Sequence, residues 1–192
     1  MLIFICGKGG SGKDTLMNLI LSGGRKDIKR LVLYTTRPKR DSEVEGVSYY
    51  FKSVEDFSDL ENKGFFIETR SYDTVEGIWR YGTPLDVRDK DKVYITVGPY
   101  GQYTVLKERL GDDIKGIYLE ASVYNCIKRM LERSNTEVDI IESCRRIYSD
   151  SNDYRDLDIN KFDYIIDTNK LTVLEEVVLL NDYINTILQK DK

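Results

Sequence analysis

A short apolar run that empties straight into a glycine-rich loop limits the architectures open to this chain. Residues 2–6, LIFIC, read as a buried strand; GKGGSGKDT, from Gly7 to Thr15, follows without a break, and apolar residues at helical spacing run from Asp14 to Leu21. The spacing of Gly7 and the Gly12-Lys13 pair is that of a phosphate-binding loop (P-loop). Gly7, Gly9, Gly10, Ser11 and Gly12 let the backbone bend tightly and aim successive N–H groups at phosphate oxygens, with little side chain in the way. The helix that follows adds the attraction of its N-terminal dipole, and Lys13 is placed to reach the β- and γ-phosphates of ATP. Ser22-Gly23-Gly24 then supplies a helix stop. The position after the lysine, where a hydroxyl normally ligates Mg²⁺, is Asp14, with Thr15 behind it. A carboxylate is a good Mg²⁺ ligand but a poor neighbour for bare phosphate, so Asp14 either holds the metal or marks an impaired site.

The rest of the chain repeats the rhythm of strand and helix. Strand-like runs at 2–6, 31–35, 93–97, 114–119 and 163–167 alternate with helical patterns, as in a parallel sheet covered by helices on both faces. Residues 102–110 predict a helix closed by Gly111, Ser122 caps a helix running to about Arg133, and Thr172 with Glu175 forms a capping box for the last helix. Between the second and third of those strands the texture changes. Tyr49 to Lys52, a short helix in SVEDFSDLENKG, the strand FFIE and a Tyr- and Gly-rich stretch to Pro84 read as a small mixed insertion. The expected organisation is one domain: a core of residues 1–34 and 91–192 and an insertion at about 35–90.

At 192 residues the chain suits one well-buried α/β core carrying a small subdomain. A net charge of −4 gives no support to general nucleic-acid binding. No segment has the length and apolarity of a membrane span or the form of a signal peptide, so a cytoplasmic protein is expected. Cys6, Cys126 and Cys144 lack paired spacing, which argues against a zinc ribbon or a disulfide framework. The absence of histidine removes Ser-His-Asp and Cys-His hydrolases and imidazole general bases. Phosphoryl transfer to another phosphate survives, because the acceptor, with a second pKa near ~6, is already largely ionised at neutral pH.

Four motifs in order carry a resemblance to a known family: the P-loop, TTRPKRDSEVEGVSYYF at Thr35 to Phe51, FIE at Phe66 to Glu68 and YGT at Tyr81 to Thr83. Over nearly its whole length the chain resembles the guanylate kinase family of P-loop nucleoside monophosphate kinases. The resemblance implies a parallel five-stranded α/β sheet of the P-loop NTPase type, a mixed α+β nucleotide-binding insertion and a helical lid at about 129–146. The activity it implies is transfer of a phosphoryl group from ATP, with Mg²⁺, to GMP or dGMP. Arg37 and Arg40 can clamp the acceptor phosphate as planar guanidinium groups, and the resemblance adds the hydroxyls of Tyr49 and Tyr81, with Tyr34 and Glu43 in the same site. It gives base recognition to Glu68, whose carboxylate accepts from the N1–H and 2-amino group of guanine where adenine offers no donor at N1, and to Thr83 beside it. From the lid it implies Arg129, Arg133 and one of Arg145 and Arg146, here Arg146, as groups that join Lys13 in neutralising the transferring phosphoryl.

Three positions depart from the family's pattern. Tyr34 stands where a small hydroxyl residue is common, Thr96 and Gly98 stand where the family has Asp-x-Asp, and Asp14 follows the P-loop lysine. A carboxylate lost from the third strand and resupplied by Asp14 reconciles the last two. Two other readings belong beside the first: a broader (deoxy)nucleoside monophosphate kinase, since G-K-D-T also resembles the loop of phage deoxynucleotide kinases, and a non-catalytic module of the same fold. The presence of Lys13 favours catalysis over the module.

Overall fold

The computed structural model describes residues 1–85 and 92–190. Its centre is a five-stranded parallel sheet in the order β2-β7-β1-β8-β9, formed by β1 (Leu2–Cys6), β2 (Ile28–Arg30), β7 (Val93–Gly98), β8 (Ile114–Glu120) and β9 (Tyr164–Asp167). Every residue of β1 is buried, as expected of a strand with neighbours on both edges and helices on both faces. Side chains alternate across it. Ile3 and Ile5 pack with Leu16 and Ile20 of α1 (Lys13–Ser22) and with Leu180 and Ile184 of α6 (Val173–Lys190). Leu2, Phe4 and Cys6 face the other way, onto Tyr103 and Leu106 of α3 (Tyr100–Leu110) and Phe162.

The second core strand is not the apolar run 31–35. It is Ile28–Arg30, an edge strand with one partner that needs little apolar surface, and the chain leaves the sheet after it. Leu31 and Leu33 are buried in the seam, with the Leu31 N–H on the Ile95 carbonyl at 2.9 Å and the Leu33 carbonyl accepting from Tyr50 N–H at 2.9 Å. β3 (Tyr34–Thr35) belongs to a second sheet, ordered β4-β3-β6-β5 with β4 (Tyr50–Phe51), β5 (Phe66–Thr74) and β6 (Gly77–Pro84). Helix α2 (Val54–Asn62), capped by Ser53, covers this sheet with Phe57 stacked on Phe66 at 4.7 Å. The second sheet thus starts at β3, next to the expected start of the insertion, whose expected end at residue 90 lies outside the described residues.

The remaining helices follow the expected caps, with two changes. Ser122 accepts from Asn125 N–H at the start of α4 (Val123–Leu131), and Thr172 and Glu175 bond reciprocally ahead of α6. α3 starts two residues earlier than expected, on Pro99. Helix α4 ends at Leu131, so Arg133, the expected end of that helix, stands instead in the turn before α5 (Glu137–Asp153). No helix among the described residues is long and apolar enough to cross a membrane.

Candidate active site

A cleft of about 430 Å³ opens where the carboxyl ends of β1 and β7 meet the second sheet and the α4–α5 turn. In a parallel α/β sheet this end of the strands is where ligands collect.

The P-loop forms its floor. Gly10 and Gly12 have φ of 79° and 99°, and a Cβ on Gly10 would lie 2.4 Å from the Cys126 carbonyl oxygen, so the loop needs glycine there for both conformation and space. The first helical bond of α1 runs from Leu16 N–H to the Gly12 carbonyl, which leaves the N–H groups of Lys13, Asp14 and Thr15 ahead of the helical ladder. The Ser11 hydroxyl is buried inside the loop without a partner. Lys13 Nζ folds over the loop onto the Lys8 carbonyl at 3.1 Å, and Asp14 is exposed at the rim. From α5 Asp150 reaches in and accepts the Gly9 N–H at 2.6 Å.

Across the cleft lies a basic and aromatic wall. Arg37 is almost fully buried, with its fork on Glu43 at 2.9 and 2.6 Å and Tyr49, Phe51 and Trp79 rings 5.4, 5.7 and 5.8 Å from its centre. The two arginines expected to clamp as equals therefore differ: Arg37 is filled by Glu43, and the exposed Arg40 holds Glu43 only through its backbone N–H. Burial pushes the Tyr49 hydroxyl up to about 12, so it is a neutral hydrogen-bond donor at any working pH. Its ring packs against Tyr81 at 5.9 Å.

The inner end is built by the β5–β6 hairpin, whose register pairs Glu68 with Thr83, Arg70 with Tyr81 and Tyr72 with Trp79. The Thr83 hydroxyl donates to Glu68 Oε1 at 2.7 Å, and Arg70 forms an ion pair with the same oxygen. Because a carboxylate only accepts, Thr83 spends its proton there and in turn accepts from Gln102 Nε2 at 3.0 Å. Gln102 occupies the place left by the missing side chain at Gly98, where a Cβ would lie 2.0 Å from its Oε1. Glu68 and Thr83 are buried behind Arg70, and Tyr34 turns away from the main cleft to pack with Tyr50, Phe65 and Phe66.

The α4–α5 turn and α5 supply Arg133, Arg145 and Arg146 to the cleft, the last two both paired with Glu142. Arg129 does not line it. Its guanidinium lies behind the P-loop, 3.4 Å from the carbonyls of Gly10, Ser11 and Thr168.

Residues 1–86 match the family model described as guanylate kinase. The guanylate kinase of Clostridium tetani is 30% identical over 177 residues, covering 89% of this chain and 79% of that protein. That of Enterococcus faecalis is 30% identical over 147 residues, covering 74% and 70%. The chain belongs to the guanylate kinase family. The fold agrees: the guanylate kinase structure from Anaplasma phagocytophilum aligns with a TM-score of 0.69 at 23% identity, covering 100% of this chain and 85% of that one. As a guanylate kinase family member the chain carries three groups that reading the motifs missed, namely Arg70, Gln102 and Asp150. Arg70 was legible in principle, since it alternates with Glu68 on one strand face; Gln102 and Asp150 come to the site only through the tertiary fold.

Proposed function

We propose that this nucleoside monophosphate kinase transfers the γ-phosphoryl group of ATP to GMP or dGMP, giving ADP and the nucleoside diphosphate. The observation that carries the reading is the cleft itself, with a P-loop and Lys13 at one end and, at the other, Arg70 with the acceptor-only carboxylate of Glu68 buried behind it. Glu68 takes the N1–H and 2-amino edge of guanine, with Thr83 and Gln102 holding it in place. Arg40, Tyr49 and Tyr81 hold the acceptor phosphate, and Arg37 positions Glu43 and the aromatic wall behind them.

An oxygen of the acceptor phosphate attacks the γ-phosphorus in line as the bond from that phosphorus to the β–γ bridging oxygen breaks, and ADP leaves with the electron pair. No general base is required. Lys13, Arg133 and Arg146 neutralise charge spread over the transferring group, and Arg129 positions the loop from behind. The loop fits a phosphate chain: three N–H groups precede the α1 ladder, and a buried Ser11 hydroxyl lacks a partner. Among the described residues no three Cys, Asp or Glu side chains gather as a metal cage. One exposed carboxylate at the loop suits Mg²⁺, which takes one or two carboxylates, substrate phosphates and waters. Asp14 would hold it, and it would neutralise charge on the β- and γ-phosphates. The second sheet and the α4–α5 turn close over the core to exclude water. A cytoplasmic setting, with free nucleotides as partners and neither nucleic acid nor membrane, completes the proposal.

The test is product formation from ATP and Mg²⁺ with GMP, dGMP, IMP, AMP, CMP, UMP and TMP in parallel, resolving diphosphates by chromatography. Efficient turnover is expected only with GMP and dGMP, with AMP a weak acceptor. Broad turnover would replace the reading with a relaxed nucleotide kinase, and none with a binding module.

A further inference from the structure

Arg70 has no part in the reaction as proposed above, yet it stands between the open cleft and Glu68. It lines the cleft, while Glu68 lies buried behind it. The hairpin register makes it the middle of three rungs on one face: Glu68 with Thr83, then Arg70 with Tyr81, then Tyr72 with Trp79. Its guanidinium lies over the Tyr81 ring at 5.4 Å, and its Nε is buried without a partner. Both bonds to Glu68 converge on Oε1. A planar fork of five donors is thus held at one corner and left unsatisfied at another, an arrangement suited to exchange.

We propose that Arg70 is a specificity-determining residue of the acceptor site, holding Glu68 while the site is empty and passing to the acceptor phosphate when guanine takes its place. The inference rests on the acceptor reading given above. Its chemical basis is that the N1–H and 2-amino edge of guanine is itself a guanidine. Exchanging one such edge for another leaves the buried carboxylate with donors throughout, so it is never left bare, which would be costly. A base without an N–H at that edge cannot replace the arginine. The released guanidinium stays on the Tyr81 rung, where Tyr49 and Arg40 also face the cleft, and a phosphate dianion there is a better partner than a shared carboxylate oxygen. Recognition of the base thereby completes the phosphate site.

The experiment compares wild type, Arg70→Ala and Arg70→Lys with GMP and AMP as acceptors, together with the KM for ATP, GMP affinity by calorimetry and the melting temperature. In Arg70→Ala the KM for GMP rises about tenfold or more, from loss of a charge-assisted bond to phosphate. The weak reaction with AMP and the KM for ATP do not move, so the preference for GMP narrows by the same factor. Arg70→Lys, which keeps the charge without the fork, falls between and guards against an alanine variant that fails to fold. Equal losses with both acceptors would show a merely structural arginine, and an unchanged or lowered KM for GMP would show a plug; either overturns the inference while the functional reading stands. A wild type that does not phosphorylate GMP overturns the functional reading and this inference with it.

Discussion

The Asp150 carboxylate sits on the P-loop, accepting the Gly9 N–H at 2.6 Å. It takes a backbone donor of the kind the loop offers to phosphate, so on the proposed reading ATP and Asp150 compete. Removing it in Asp150→Ala should lower the KM for ATP by about threefold to tenfold, the worth of one modest hydrogen bond, with kcat little changed. A raised KM would instead place Asp150 in the occupied site. Its titration gives a second check. Burial holds its pKa above the ordinary 3.8, against the pull of the Gly9 bond and Lys13. A raised folded value means stability that is fully present below pH 3.8 and lost as pH rises through the folded pKa. Asp150→Asn should therefore raise the melting temperature at neutral pH and lose that advantage in acid.

The pair of Arg37 and Glu43 titrates in the opposite sense. Burial alone would push Glu43 up, but the Arg37 fork, the Arg40 N–H and their charges together hold it below its ordinary 4.5. Its contribution is present above that value and lost as pH falls through the depressed one. Denaturant titrations across acid pH should show this loss in wild type and a flatter profile in Glu43→Gln. Glu43→Ala, which leaves a buried guanidinium unpaired, should cost about 3–5 kcal/mol.

Gly98 and Gln102 compete for one volume. A Cβ at position 98 would lie 2.0 Å from Gln102 Oε1 and 2.7 Å from Phe4 Cζ. Gly98→Ala should destabilise by about 1–3 kcal/mol, and combining it with Gln102→Ala should recover part of that loss. A double-mutant cycle by urea unfolding measures the coupling, and additive costs would show that Gln102 is not what fills the space.

Asp14 should matter through the metal. Asp14→Ser restores the usual hydroxyl after Lys13 yet is expected to lower kcat and to raise the Mg²⁺ concentration for half-maximal rate. Improved turnover would count against a carboxylate moved from the third strand to the loop.

Much of this site was legible because its motifs are local. The P-loop, the capping residues and the buried strand β1 are each set by neighbours in sequence, and the structure keeps them where they were read. The miss at 31–35 has a physical cause: apolarity marks burial and not sheet membership, and Leu31 and Leu33 are buried in a seam between sheets. Arginines were harder. Charge type gives no sign of which will be free, and Glu43, Glu142 and the carbonyls behind the P-loop decide that for Arg37, Arg145, Arg146 and Arg129. Asp150 reaches the cleft from beyond the expected lid at about 129–146, and Gln102 reaches Thr83 behind the cleft; nothing in their own sequence surroundings announces either contact.

The β5–β6 hairpin carries Glu68 with Thr83 and Arg70 with Tyr81 as cross-strand rungs, which the proposed reading gives to the acceptor, while the P-loop lies between β1 and α1. Inheritance can treat the two separately. Exchanges two positions apart along a single hairpin can retune which nucleotide is accepted without disturbing the ATP end, so a lineage can diverge in acceptor while conserving the P-loop that names it.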